Sequence, residues 1–161
     1  MQCHPELVEG SRKARVTALR MLAQRRLTEA QLWAKLERKG FADEEIREAV
    51  ASCKRDGYVD DKLFADLFIE LKRKAIGNSR LVGELVKRGI DREIAALAVS
   101  RASVDEAERA DEAITKLFRT KSNLSYPSAA RTLERLGFPA PLIYRKLREH
   151  AAAFGPLAIL D

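Results

Sequence analysis

Apolar positions in this chain recur at helical spacing, and the pattern restarts three times. Three segments align on a glycine: residues 32–50 (LWAKLERKGFADEEIREAV), 81–98 (LVGELVKRGIDREIAALA) and 129–147 (AARTLERLGFPAPLIYRKL). In each, a leucine stands four residues before the glycine: Leu36 before Gly40, Leu85 before Gly89, Leu133 before Gly137. A large apolar residue follows at once, Phe41, Ile90 or Phe138. This pattern predicts a helix ended by a glycine in the left-handed conformation, with the next apolar residue folding back on the last turn.

A further helix follows each glycine. Asp43 and Asp91 stand three residues before Ile46 and Ile94 and read as N-caps, and Pro141 suits the first helical position of the third copy. Another helix precedes each pair. The clearest covers residues 61–75, where Phe64, Leu67, Phe68 and Leu71 share one face behind an Asp60 cap. Residues 16–24 and 106–120 take that part in the other two copies, and Thr28 with Gln31 has the form of a capping box. The glycines lie 49 and then 48 residues apart. An all-α chain of nine helices is expected, as three tandem three-helix repeats forming an elongated, curved array. The expected boundaries are a flexible tail over 1–12, repeats over 13–59, 60–103 and 104–151, and a C-terminal tail over 152–161.

Composition supports helix and adds a charge. Of 161 residues 34% are charged, and the net charge of +6 suits an acidic partner, either nucleic acid or an acidic protein surface. Only Cys3 and Cys53 are present, so no disulfide framework or metal cluster is suggested and a reducing cytoplasm fits. No segment has the form of a signal peptide or a membrane span, so no membrane association is expected.

Enzyme signatures are missing. His4 and His150 lie near opposite ends of the chain, there is no glycine-rich phosphate loop, and the acidic runs 43–45 and 60–61 sit at helix starts, where the dipole favours them. No catalytic residue, metal or cofactor is assigned. The second and third helices of each repeat resemble a helix-turn-helix in outline, which gives a DNA-binding regulator as the alternative reading. Glu44 and Glu45 stand where a reading helix would meet the groove, however, and phosphates would repel them. Trp33 reads as packing between repeats, and Tyr58 as packing across the first joint.

Basic residues supply the clearest functional clue. Lys35, Arg38 and Lys39 share a helix face, Lys72, Arg73 and Lys74 close another helix, and Arg80, Lys87 and Arg88 follow on the next. One basic position recurs two residues before each glycine, as Arg38, Lys87 and Arg135. Together these ten residues are the candidate partner-binding surface. Cations at helix C-termini are also favoured by the dipole alone.

The run 56–61 (DGYVDD) followed by Phe64-Ala65, Gly77, Leu85, Lys87 to Ile90 and Ile94 resembles the central repeat of the RecX family. Upstream, Ala18-Leu19, Leu22, Arg25, Leu32, Leu36, Lys39-Gly40-Phe41 and Ile46 resemble its first repeat, so the likeness covers roughly residues 14–150. The third copy departs from it, with Leu136 before the glycine and Pro139 and Pro141 in the turn. The resemblance implies a monomeric bacterial regulator that binds the RecA recombinase and the groove of its nucleoprotein filament. It would limit filament extension, ATP hydrolysis and strand exchange in recombination, DNA repair and the SOS response. A weak, non-specific contact with DNA is a further expectation.

Overall fold

A computed structural model describes residues 5–72, 76–102, 105–121 and 123–154. They form nine α-helices and no strand: α1 Pro5–Gln24, α2 Glu29–Glu37, α3 Asp43–Arg55, α4 Asp61–Lys72, α5 Asn78–Val86, α6 Arg92–Ser100, α7 Glu106–Thr120, α8 Tyr126–Arg135 and α9 Ala140–Phe154. The chain divides into two compact units, residues 1–65 with 85–94 and residues 66–84 with 95–161. The dividing line runs through α4, α5 and α6.

In the first unit α1 packs against α3 and α2. Alanines make the contact close: Ala14 and Ala18 of α1 and Ala49 of α3 are fully buried, together with Leu32, Leu36, Ile46 and Cys53. Burial raises the pKa of the Cys53 thiol, which therefore stays protonated and behaves as a small apolar group. Trp33 and Phe41 pack against this core from its edge. The helix α1 starts at Pro5, inside the stretch expected to be a tail. The short periodic run at 16–24 underestimates it because its upstream contact with the core is made by an alanine, Ala14, which carries little pattern signal. Proline suits a first helical position, and Glu9 pairs with Lys13 one turn on. In the second unit α7, α8 and α9 pack mutually around Ala110, Ile114, Ala129, Leu133, Phe138, Ile143 and Leu147.

The glycine turns form as expected. Gly40, Gly89 and Gly137 all have positive φ, and in each the glycine N–H donates to the carbonyl three residues back. The next N–H, from Phe41, Ile90 or Phe138, donates to the leucine carbonyl five back. This is the Schellman arrangement, and it explains why leucine and the following apolar residue recur together. The Thr28–Gln31 capping box is present, and the carboxylates of Asp60 and Asp91 accept from Leu63 and from Glu93 and Ile94. At α3 the cap differs: Ala42 is the N-cap, and Glu45 reaches back to accept from the Ala42 N–H at 2.9 Å. A carboxylate three residues into the helix thus does the work expected of Asp43.

Two joints use one geometry. In the first unit Thr28 Oγ1 donates to the carbonyl of Arg88 (2.6 Å), and the Glu29 N–H donates to the Asp61 carboxylate (2.9 Å). In the second unit the Gly77 N–H donates to the carbonyl of Leu136 (2.8 Å), and the Asn78 N–H donates to the Glu106 carboxylate (2.6 Å). So the start of a second helix meets a later glycine turn, and a carboxylate from the opening turn of a first helix caps it. Tyr58, expected in the first joint, is 54% exposed instead. The left-handed turn at Gly57 carries it outward, and Val59 takes the buried position.

Candidate functional site

Helix α2 positions Lys35, Arg38 and Lys39 at its C-terminal end. Arg38 and Lys39 are exposed and Lys35 is half-buried; Arg38 Nε donates to the Ala34 carbonyl at 3.2 Å, within its own helix. Lys87 is exposed just beyond the end of α5, and Arg135 is exposed at the end of α8, where it donates to Thr132 Oγ1. Arg38, Lys87 and Arg135 thus occupy matching places at the ends of α2, α5 and α8. Dipole complementarity suits all three, and so does a surface that repeats with the helices.

Arg80 and Arg88 sit in the joints. The Arg88 carbonyl accepts from Thr28, and Arg88 itself is half-buried. Arg80 remains exposed but donates to the Arg135 carbonyl (2.8 Å), satisfying one of the last carbonyls of α8. These two arginines are therefore tied to the packing of the chain. Arg73 and Lys74 lie outside the described residues, as does the side chain of Lys72.

Sequence reasoning missed a second basic cluster. Arg12 and Arg15 of α1 and Arg47 and Arg55 of α3 line one groove of about 480 Å³, with Ser11, Ser52 and Glu48 beside them. Asp56 holds Arg15 at 2.8 Å and Glu44 pairs with Arg47. No single run of sequence contains these arginines, so only the excess of positive charge over 11–60 hinted at them. Another arginine that pattern reading passed over is Arg109 of α7, 1% exposed, which donates to the Ile76 carbonyl (2.7 Å) and to Asn78 Oδ1. Burial lowers its pKa, while Glu106 and Asp105 act the other way. It anchors the second joint.

At the far end of α9, His150 stacks on Phe118 with ring centres 4.4 Å apart and meets Phe154 at 4.7 Å, and its Nδ1 lies 3.3 Å from the Tyr126 hydroxyl. Desolvation lowers its pKa. Among the described residues no group of histidine, cysteine and carboxylate side chains could hold a metal ion, and no helix is long and apolar enough to cross a membrane. Among the described residues the arrangement offers cationic surface and helix joints fastened by hydrogen bonds.

Comparison with known proteins agrees with this architecture. Residues 14–53 match the family described as RecX, first three-helix domain. The chain is 31% identical over 154 residues to regulatory protein RecX of Amycolatopsis mediterranei, covering 91% of this chain and 88% of that protein. It is 36% identical over 114 residues to regulatory protein RecX of Caldanaerobacter subterraneus, covering 70% of this chain but only 57% of the relative's length. The fold is shared with the crystal structure of RecX from Lactobacillus salivarius, at a TM-score of 0.77 and 21% identity over 88% of this chain and 97% of that one.

Proposed function

The chain belongs to the RecX family of regulatory proteins, and from that premise we propose that it binds the RecA recombinase and its nucleoprotein filament. There it restrains filament extension, ATP hydrolysis and strand exchange during recombination and DNA repair. It acts as a cytoplasmic monomer by occupying surface rather than by chemistry. Supporting this reading is the likeness to a RecX protein along 91% of the chain. The repeats over 13–59, 60–103 and 104–151 are proposed as the binding modules. Each presents one basic residue at the same place, Arg38, Lys87 or Arg135, so several modest contacts add at high effective concentration. The helix-turn-helix alternative gains nothing from α3, whose first turn carries Asp43, Glu44 and Glu45.

The test adds the purified protein to RecA filaments on single-stranded DNA and follows ATP hydrolysis at substoichiometric ratios. Inhibition well below one protein per recombinase is expected. In the Arg38→Gln/Lys87→Gln/Arg135→Gln variant the fold should melt within a few degrees of wild type, while inhibition weakens and loses salt dependence. Intact inhibition in the folded variant would assign these three cations to helix capping. Absence of any effect by the wild-type protein would remove the filament reading altogether.

A further inference from the structure

We propose that the apolar groove between α8 and α9 docks a short acidic segment of a partner protein, held by one large aromatic side chain seated between two arginines. The groove has a volume of about 480 Å³, and Arg38, Lys87 and Arg135, the recurring cations, are not among its lining residues. Ala130 and Leu147, both buried, form its floor, and Tyr126 and the 55% exposed Tyr144 stand beside it. Arg131 lines it from α8 and Arg148 from α9.

The first bundle shows what this seam lacks. Aligned on Gly40 and Gly137, the pairs α2–α3 and α8–α9 keep one register: buried Leu36 matches Leu133, buried Ile46 matches Ile143, and the N-caps Thr28 and Ser125 coincide. Ala130 then stands where α2 carries Trp33, the single tryptophan, which packs against the core of its own bundle. By that register an indole covers the α2–α3 seam, whereas the methyl group of Ala130 leaves the α8–α9 seam open. A large apolar side chain from outside restores the cover, as an anchor residue does at the centre of a protein interface.

The charges change along with the shape. Arg131 and Arg148 take the places of Ala34 and Ala51 in the first bundle. Arg131 donates to the Ser128 hydroxyl and Arg148 to the Tyr144 carbonyl, and neither meets a carboxylate among the described residues. Glu134 also lines the groove, so its charge is one negative against two positive. Carboxylates flanking the anchor supply the partners that the two guanidinium groups lack. The aliphatic floor favours an inserted side chain over a phosphate chain, whose charges must stay solvated.

The test contains no recombinase, so its result is separate from the filament reading. A fluorescein-labelled peptide Glu-Glu-Trp-Glu-Glu is titrated with the full chain across a salt series and followed by anisotropy, beside Glu-Glu-Ala-Glu-Glu and Gln-Gln-Trp-Gln-Gln. The first should bind, and the other two at least about tenfold more weakly, since each lacks the anchor or the charges. Ala130→Trp copies the first bundle and should abolish binding; if that variant fails to fold, Ala130→Leu should weaken binding at least about tenfold by narrowing the groove. Arg131→Gln/Arg148→Gln should weaken it and flatten its dependence on salt. The proposal is overturned if the tryptophan peptide does not bind, if the alanine peptide binds equally well, or if a folded Ala130 variant keeps wild-type affinity. Three other results would overturn it by naming another occupant. Self-association that Ala130→Trp removes would give the groove to a second copy, binding gained only on truncation after Phe154 would give it to residues 155–161, and displacement of the peptide by oligothymidylate at equal charge concentration would give it to nucleic acid.

Discussion

The hydroxyl of Thr28 both caps α2, accepting from the Gln31 N–H at 3.1 Å, and donates to the Arg88 carbonyl at 2.6 Å, 60 residues away in sequence. One fully buried side chain therefore opens a helix and fastens a joint. Thr28→Val keeps the shape and removes both bonds, leaving a carbonyl and an amide unpaired away from water. A loss of about 2 to 4 kcal/mol is expected from the cap and the stranded carbonyl together. Thr28→Ser should recover most of it. Urea denaturation of the three proteins checks the order.

The glycines of the turns should not be equivalent. All take positive φ, so any Gly→Ala change carries a backbone strain of about 1 kcal/mol. A methyl group at Gly40 meets nothing within 4 Å, but at Gly89 it overlaps the Ala30 side chain and at Gly137 it strikes Arg80, side chain and main chain both. Gly40→Ala should lower the melting temperature modestly, and Gly89→Ala and Gly137→Ala clearly more. Equal shifts in all three would mean that the joints yield freely at those points.

Arg109 supports a third prediction. Replacing it by methionine preserves length and apolar stem but strands the Ile76 carbonyl and the Asn78 amide oxygen beneath α7. A cost of about 1.5 to 3 kcal/mol follows for hydrogen bonds to a buried charge. Amide hydrogen exchange should accelerate most at Asn78 to Leu81, where α5 begins. Uniform acceleration across the chain would place the role of Arg109 in the bundle core instead.

These residues show what could be read in advance. The glycine turns, the Thr28 box and the caps at Asp60 and Asp91 depend on neighbours within five positions, so local pattern exposes them. The start of α1 was hidden because alanine contacts such as Ala14 look neither apolar nor polar enough to set a period. The cap of α3 was misplaced onto Asp43 because two carboxylates compete at the same helix start and only geometry chooses Glu45. Of the ten cations marked as a partner surface, Arg80 and the main chain of Arg88 belong to the joints. The arginine groove and the Arg109 anchor join residues more than thirty positions apart, and nothing local reports such meetings.

His150 predicts a pH response. Burial between Phe118 and Phe154 favours the neutral ring, so its pKa in the folded chain lies below the ordinary 6.5. The unfolded chain then binds the proton more readily, and this contribution to stability, complete above the ordinary value, is lost as pH falls through the folded value. Wild type should lose more melting temperature than His150→Gln between about pH 7.5 and 5.0. Parallel losses would show that the ring stays solvated.

The two joints also set an order of events during folding. Each three-helix core closes over stretches of about fifty residues with mostly local contacts, whereas the Thr28–Arg88 bond spans 60 residues and must wait for the intervening helices. The bundles therefore act as early nuclei and the joints as late latches. Changes at Thr28, Gly89 or Gly137 should quicken unfolding while leaving the refolding rate nearly untouched. Under load the chain would then yield at its joints while its bundles are still whole.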